Sequence, residues 1–120
     1  MSKTILTVDD SSSVRQVVAF TLRAADYTVS EAIHGEEALS RLESPVHLVI
    51  TDLNMPVMDG IELIRRIRAG GPNRYVPIVV LTTESQEAKK QEARAAGATG
   101  WIVKPFRPEQ LLAVVKRVLG

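Results

Sequence analysis

The chain has 120 residues, of which 45% are hydrophobic and 24% charged, and its formal net charge at pH 7 is +1. This composition is typical of a globular protein, and the small net charge does not point to a nucleic-acid or membrane partner. The absence of cysteine excludes disulfides and cysteine-bound metals. The apolar runs are too short to cross a bilayer, and the N-terminus lacks the apolar stretch of a signal peptide. We therefore predict one cytoplasmic domain, residues 1–120, with no room for a second domain.

Short apolar runs alternate with helical patterns along the chain. The predicted strands are Thr4 to Val8, Thr28 to Ala32, Leu48 to Ile50, Pro77 to Leu81 and Gly100 to Val103. The predicted helices begin after an N-cap offered by Ser11-Ser12-Ser13, at Gly35 (to Leu42), after Gly60 (to the glycines at 70 and 71), at Glu84 (to Ala96) and at Pro108 (to Leu119). Regular alternation of strands and helices predicts an α/β fold, with a parallel sheet covered by helices on both faces.

Residues able to handle charge follow four of the five predicted strands. They are Asp9 and Asp10 after the first strand, Asp52 after the third, Thr82 after the fourth and Lys104 after the fifth. Any one of them alone is explained as a helix cap or a solvated side chain. The carboxyl ends of parallel strands share one edge of the sheet, which is where ligands bind in folds of this class. We therefore expect these side chains to meet in one site.

Three carboxylates in one pocket repel each other, and each close pair costs about 4 kcal/mol at an effective dielectric constant near 20. Lys104 alone does not offset this repulsion. A hard divalent cation does, and oxygen ligands together with water and phosphate oxygens favour Mg²⁺. His34 and His47 lie away from these strand ends and are interpreted as surface residues rather than ligands. A carboxylate beside Mg²⁺, a lysine and a hydroxyl is typical of aspartyl phosphorylation.

These residues together resemble a known family signature. Asp9-Asp10, Asp52, Thr82 and Lys104-Pro105, with the stretch from Asp52 to Gly60 (DLNMPVMDG), are similar to the receiver domains of two-component response regulators. The resemblance covers the whole chain and is closest to the single-domain, CheY-like chemotaxis type. It implies a doubly wound, flavodoxin-like (βα)5 fold with strand order 2-1-3-4-5, a fold for which CheY is a standard example.

The resemblance also implies roles for individual residues. Asp52 would be the phospho-acceptor, Asp10 a direct Mg²⁺ ligand, Asp9 a ligand acting largely through water, and the backbone carbonyl of Asn54 a further ligand. The phosphoryl donor would be a phosphohistidine on a sensor histidine kinase of the CheA-like kind.

Further roles are implied around the phosphoryl group. Thr82 would donate its hydroxyl to one phosphoryl oxygen and Lys104 would pair with another, while Pro105 would follow a cis peptide bond. The side chains of Asn54 and Glu84 would border the attacking water and so affect the lifetime of the phosphoryl group. A phosphatase is a further expected partner.

Trp101 is expected at the aromatic switch position of the fifth strand, where family members more often carry Tyr, Phe or His. In the family this aromatic rotates when the threonine is drawn toward the phosphoryl group. Indole is bulkier and its N–H needs a partner. A fixed packing residue beside the last two helices is therefore the alternative interpretation of Trp101.

The resemblance places the output face on the fourth helix, fifth strand and fifth helix. The last helix carries more apolar residues than a core stripe requires, and some of them are expected to be exposed: Leu111, Leu112, Val114, Val115, Val118 and Leu119. A basic fringe suits an acidic target such as the flagellar motor switch protein: Lys89, Lys90, Arg94, Arg107, Lys116 and Arg117. The alternative is an ordinary solvated helix surface.

Three other functions stay open at this point. A phosphorelay intermediate would pass its phosphoryl group on to a histidine phosphotransfer protein. A Mg²⁺-dependent phosphatase would need an Asp-x-Asp pair after one strand, which this sequence lacks. A flavin carrier shares the fold, but an acidic pocket repels the cofactor phosphate. We expect no enzyme activity beyond self-catalysed phosphoryl transfer and autodephosphorylation.

Overall fold

Five strands and five helices alternate in the computed structural model, which describes residues 3–120. The elements are β1 Thr4–Val8, α1 Ser12–Ala24, β2 Thr28–Ala32, α2 Gly35–Arg41, β3 Leu48–Thr51, α3 Gly60–Arg68, β4 Ile78–Thr82, α4 Glu87–Ala96, β5 Gly100–Val103 and α5 Pro108–Leu119. Met1 and Ser2, where the sequence analysis looks for a signal peptide, lie outside the described residues. No helix in the described part of the chain is long and apolar enough to cross a membrane.

The strands form one parallel sheet in the order β2-β1-β3-β4-β5, which confirms the predicted fold class and strand order. The chain steps from β1 outward to β2 and then returns to β3 on the other side of β1. The order therefore reverses between β1 and β3, and the carboxyl ends of these two strands flank the switch point. Asp9 and Asp52 are the first residues beyond those two ends.

The helices cover the two faces of the sheet unequally. Apolar residues from α2, α3 and α4 pack with one set of strand side chains, among them Leu6, Val49 and Val80. Apolar residues from α1 and α5 pack with the opposite set, such as Ile50 and Leu81. Side chains alternate between faces along a strand, so the near-continuous apolar runs in β3 and β4 follow from burial on both sides.

The fourth helix begins at Glu87 rather than at the predicted Glu84. The reason is local, because the hydroxyl oxygen of Thr82 accepts the N–H of Glu84 at 3.2 Å. A side chain that bonds a backbone N–H two residues on holds the chain in a turn and competes with helix formation. Gln86 then occupies the N-cap position without a side-chain hydrogen bond to the helix.

The last helix offers less apolar surface to a partner than predicted. Of the six apolar residues that the sequence analysis names on this helix, Leu111 and Val115 are fully buried. The other four are half-buried and pack against the core on the α1 side: Leu112, Val114, Val118 and Leu119. The expectation that some of them are exposed is therefore wrong, since α1 and the sheet both lie against α5 and widen the buried face.

Two polar side chains that the sequence analysis does not single out join loops at the amino-terminal edge of the sheet. Arg68 donates to the carbonyl oxygen of Gly97 at 2.8 Å. Gly97 has a φ of +120°, and a Cβ there would lie 2.7 Å from the Arg68 Nε, so only glycine fits. The buried Asn73 donates to the carbonyl of Leu42 and accepts the N–H of Val46, each at 2.8 Å.

A strained γ-turn lies in the loop between β3 and α3. The N–H of Met58 donates to the carbonyl of Pro56 at 2.8 Å, and Val57 between them has a φ of 73°. This conformation is costly for a β-branched residue. The Val57 side chain is 66% exposed and gives little packing energy in return.

We therefore predict that Val57→Gly stabilises the protein by about 1 kcal/mol, because relief of backbone strain exceeds the entropy cost of glycine. A stabilisation of that size raises the Tm by about 4 °C in a domain of this length, and calorimetry measures it. Val57→Ala is the matched control, since it removes the side chain but keeps a Cβ in the same backbone conformation. A lower Tm for the glycine variant than for the alanine variant would contradict the strain argument.

Candidate functional site

The backbone of the predicted site residues is held by the sheet itself. Asp9, Asp52 and Lys104 each stand one residue beyond their strands, yet each N–H still donates to a carbonyl of the neighbouring strand. The distances are 3.1 Å for Asp9, 3.0 Å for Asp52 and 2.8 Å for Lys104. The backbone of these three residues is therefore held as firmly as the strands, although their side chains lie beyond the carboxyl edge of the sheet.

The Lys104 ammonium lies between two buried carboxylates. Its Nζ is 2.8 Å from Asp9 Oδ2 and 3.1 Å from Asp52 Oδ2. The side chains of Lys104, Asp9 and Asp52 are 12%, 4% and 10% exposed. Such pairs are screened far less than surface ion pairs, so the geometry of one group depends strongly on the others.

Asp10 brings a third carboxylate to the same place. One carboxylate oxygen from each of Asp9, Asp10 and Asp52 lies within 4.8 Å of the other two. Asp10 is exposed and opens the cluster to solvent. Three carboxylates and the single ammonium of Lys104 leave two negative charges unbalanced, and an all-oxygen donor set of this charge fits Mg²⁺.

The second oxygen of each buried carboxylate is also occupied. Asp9 Oδ1 accepts the N–H of Ser11 at 2.9 Å, and Asp52 Oδ1 accepts the N–H of Leu53 at 2.7 Å. The Asp10 carboxylate makes no hydrogen bond or ion pair within the described part of the chain. Its carboxylate is therefore the one best able to bind a cation directly without first giving up a protein partner.

The ion pairs set the ionisation of Lys104. Burial lowers the pKa of the ammonium, but the hydrogen bond to Asp9 and the charge of Asp52 outweigh burial, and the pKa ends above its ordinary value of 10.5. A raised folded-state pKa contributes stability in full below the unfolded value, and that stability is lost as the pH rises through the folded value. Lys104 is therefore charged at neutral pH. Its contribution to the free energy of unfolding is lost only in the alkaline range, above pH 10.5.

Gly60 brings the start of α3 against the acceptor strand. A Cβ at Gly60 would lie 2.2 Å from the carbonyl oxygen of Asp52 and 2.8 Å from the Cα of Leu53. The same carbonyl accepts the hydroxyl of Thr51 at 2.8 Å. The glycine is thus needed for close approach, a role that does not follow from its place in the sequence at the start of a predicted helix.

Thr82 is fully buried at the end of β4. Its Oγ1 accepts the N–H of Glu84, which leaves the hydroxyl proton to donate. Trp101 of β5 pairs with Val80, two residues before Thr82 in β4. Its side chain packs on the face of the sheet that α2, α3 and α4 cover. Thr82 is in phase with Val80 and therefore points to that same face. Asn54 is exposed in the loop after Asp52.

Both histidines lie outside the carboxylate cluster, as the sequence analysis expects, and each has a structural partner. His34 is the N-cap of α2, and its Nδ1 accepts the N–H of Glu37 at 3.2 Å. His47 Nδ1 accepts the N–H of Thr4 at 2.9 Å. The Lys104–Pro105 peptide bond is cis, as the family resemblance implies.

The fold and site define a class of protein. Residues 5–116 match the family described as the response regulator receiver domain, and the chain belongs to this family. These proteins take part in two-component signalling, and the predicted family is confirmed.

Particular relatives are similar over their full length. The chain is 40% identical over 119 residues to the chemotaxis protein CheY1 of Helicobacter pylori, covering 97% of this chain and 96% of that protein. The crystal structure of the chemotaxis protein CheY4 of Vibrio cholerae is 47% identical, with a TM-score of 0.95 over 99% of this chain and 100% of that one. The receiver domain of the sensor histidine kinase PA1611 of Pseudomonas aeruginosa was solved with magnesium in its active-site cleft; it is 29% identical, with a TM-score of 0.91 over 100% and 99% of the chains.

We predict that Lys104→Met costs about 3 kcal/mol of stability in a metal-free buffer, because it leaves two buried carboxylates without a cation. Urea unfolding with EDTA measures this cost. Added Mg²⁺ should stabilise the variant more than the wild type, since the metal then supplies the missing positive charge. Lys104→Arg is the control that keeps the charge. If the variant lost the same unfolding free energy with EDTA as with Mg²⁺, the argument that Lys104 and the metal balance the same carboxylates would be contradicted.

Proposed function

We propose that this chain is a phosphorylation-activated switch that accepts a phosphoryl group on Asp52 from a phosphohistidine of a sensor kinase. The observation that carries the proposal is the lysine held between two buried carboxylates, with a third carboxylate beside them, at the carboxyl edge of a parallel sheet. Structural ion pairs do not require the third carboxylate. A site that must balance an arriving phosphoryl group does require both a cationic donor and a metal-binding set.

Transfer exchanges one bond for another. An oxygen of Asp52 attacks the phosphorus, the phosphorus–nitrogen bond to the donor imidazole breaks, and its electron pair returns to that imidazole. The new bond is an acyl phosphate on Asp52. Lys104 already lies 3.1 Å from the acceptor carboxylate, and from there its ammonium pairs with a phosphoryl oxygen. The free proton of the Thr82 hydroxyl donates to another oxygen.

Asp10 and Asp52 would hold Mg²⁺ directly, with the backbone carbonyl of Asn54 as a further ligand. Asp9 would act through water, since its two oxygens already accept from Ser11 and Lys104. When bound, the metal neutralises the carboxylates and the charge that develops on the phosphoryl oxygens. This chain's own contribution is to place the acceptor and the lysine so that little reorganisation is needed.

Chemotaxis is the pathway we propose, because full-length relatives at 40% and 47% identity are named chemotaxis proteins. The donor would then be a CheA-like kinase in the cytoplasm, and a phosphatase would shorten the signal. The chain catalyses only its own phosphorylation and autodephosphorylation, with Asn54 and Glu84 bordering the attacking water. It turns over no external substrate, so we do not propose an enzyme.

The signal would leave through α4 and β5. Phosphorylation replaces the single negative charge of the Asp52 carboxylate with about −1.5 to −2 charges on the phosphoryl oxygens, which draw the Thr82 hydroxyl inward. Trp101 on the same face then moves to fill the space. The helix α4 can follow because Ala93 is its one buried residue and its N-cap has no side-chain bond. An element with so little buried apolar surface changes position at low cost.

The output face has the charge for an acidic partner. Trp101, Lys90 and Arg94 line a cleft of about 170 Å³ between α4 and β5. We propose that an acidic segment of the flagellar motor switch protein binds there. The second candidate is a phosphorelay intermediate, because acceptance on Asp52 does not fix where the group goes next. Return of phosphate from the loaded chain to a purified histidine phosphotransfer protein would favour that alternative.

We predict that Asp52→Asn reduces phosphorylation at least about 100-fold, because the amide is not a nucleophile. The assay is labelled phosphoryl transfer from a sensor kinase and from acetyl phosphate, scored as hydroxylamine-sensitive label. Asp59→Asn is the matched control: Asp59 is exposed in the same loop and caps α3, a role that asparagine retains. Normal labelling of the Asp52 variant, or equal loss in both variants, would refute the assignment.

We predict that Mg²⁺ with acetyl phosphate shifts the fluorescence of Trp101 to shorter wavelength, because inward rotation removes the partly buried indole from its remaining contact with water. Trp101 is the single tryptophan of the chain, so the signal has one source. The Asp52→Asn protein in the same solution is the control for effects of the metal and the phosphodonor alone. Identical emission from both proteins would favour a fixed packing role for Trp101.

A further inference from the structure

Asp9 is held by four contacts, and one of them comes from a residue to which no role has been assigned. Its N–H, Oδ1 and Oδ2 engage the sheet, Ser11 and Lys104 at 3.1, 2.9 and 2.8 Å. The fourth contact is the shortest: Arg15 Nη1 donates to the carbonyl oxygen of Asp9 at 2.7 Å. This bond holds the backbone rather than the carboxylate.

Arg15 is itself fixed between two elements. It lies in the first turns of α1, and its Nε donates to Glu31 Oε1 on β2 at 3.2 Å. The Arg15 side chain is only 15% exposed. Arg23 lies about two turns further along α1. It binds the other oxygen of Glu31 at 3.5 Å, but its side chain is 53% exposed and donates to the carbonyl of Val29 rather than to the loop.

The carbonyl that Arg15 holds belongs to the peptide unit joining Asp9 to Asp10. A peptide unit is planar, so fixing its oxygen fixes the direction in which the chain enters Asp10. Among residues 3–120, no side-chain or backbone group binds the Asp10 carboxylate and orients it. Its distance of at most 4.8 Å from the other two carboxylates therefore depends on the backbone.

We propose that Arg15 is a positioning residue for the metal and the phosphoryl acceptor. It sets the Asp9–Asp10 peptide so that Asp10 faces Asp52, and Glu31 holds the guanidinium in place for that task. This inference rests on the proposed function, because it assigns a new residue to the same site. Charge is not the mechanism: Arg15 is paired with Glu31, and a free cation beside the cluster would repel Mg²⁺.

The test is calorimetric titration of the whole protein with Mg²⁺, in phosphate-free buffer, for wild type, Arg15→Ala, Arg15→Lys and Arg23→Ala. Outer groups that orient metal ligands typically change metal affinity about 10–100-fold when removed. We expect both Arg15 variants to bind Mg²⁺ about 10-fold more weakly, since lysine keeps the charge but not the two-sided contact. Arg23→Ala, which also removes a partner of Glu31, should stay within about 2-fold of wild type, because Arg23 holds no ligand.

Each other result overturns the inference. Unchanged affinity in Arg15→Ala removes the positioning role. Wild-type affinity in Arg15→Lys with weak binding in Arg15→Ala assigns the effect to charge. Equal weakening by Arg23→Ala assigns it to general attachment of α1 to β2. Circular dichroism checks folding, and Arg15→Lys decides if the alanine variant does not fold. Absence of Mg²⁺ binding by wild type would instead overturn the metal part of the proposed function, and this inference with it.

Discussion

The ammonium of Lys104 between Asp9 and Asp52 is the interaction on which the site depends. The three residues directly follow β5, β1 and β3, so the contact joins the last third of the chain to its beginning and middle. Each carboxylate is nearly buried, and neither is tolerable there without a nearby cation. One lysine leaves the three-carboxylate cluster with excess negative charge, and that charge favours the binding of a divalent cation.

The scaffold limits how far these groups can move. The sheet ladder continues one residue beyond β1, β3 and β5 through the N–H groups of Asp9, Asp52 and Lys104. Gly60 lets α3 start in contact with the Asp52 backbone, and Arg15 holds the carbonyl of Asp9 from the other side. The acceptor is therefore preorganised by backbone contacts, which cost nothing further at the moment of reaction.

The output side is built differently from the acceptor side. The helix α4 buries a single alanine and begins late, after a turn held by Thr82. Thr82 thus touches both the site and the segment that leads into the least anchored helix. A rigid acceptor next to a weakly attached element is what a two-state switch requires, because a local change of charge then moves only that element.

Much of this protein follows from its sequence. Alternating apolar runs and helical patterns determine the parallel α/β fold, and the residues after each strand determine the set that meets at one edge, because parallel strands share that edge. The start of α4 could not be predicted, since a hydrogen bond between Thr82 and Glu84 replaces a helical turn that the local composition favours. The contacts of Arg15, Arg68 and Asn73 were also decided by tertiary structure alone. Each of these side chains joins two segments that are far apart in the sequence. Hydrophobic periodicity predicts which residues are buried, but no sequence pattern predicts which distant group a polar side chain will bind.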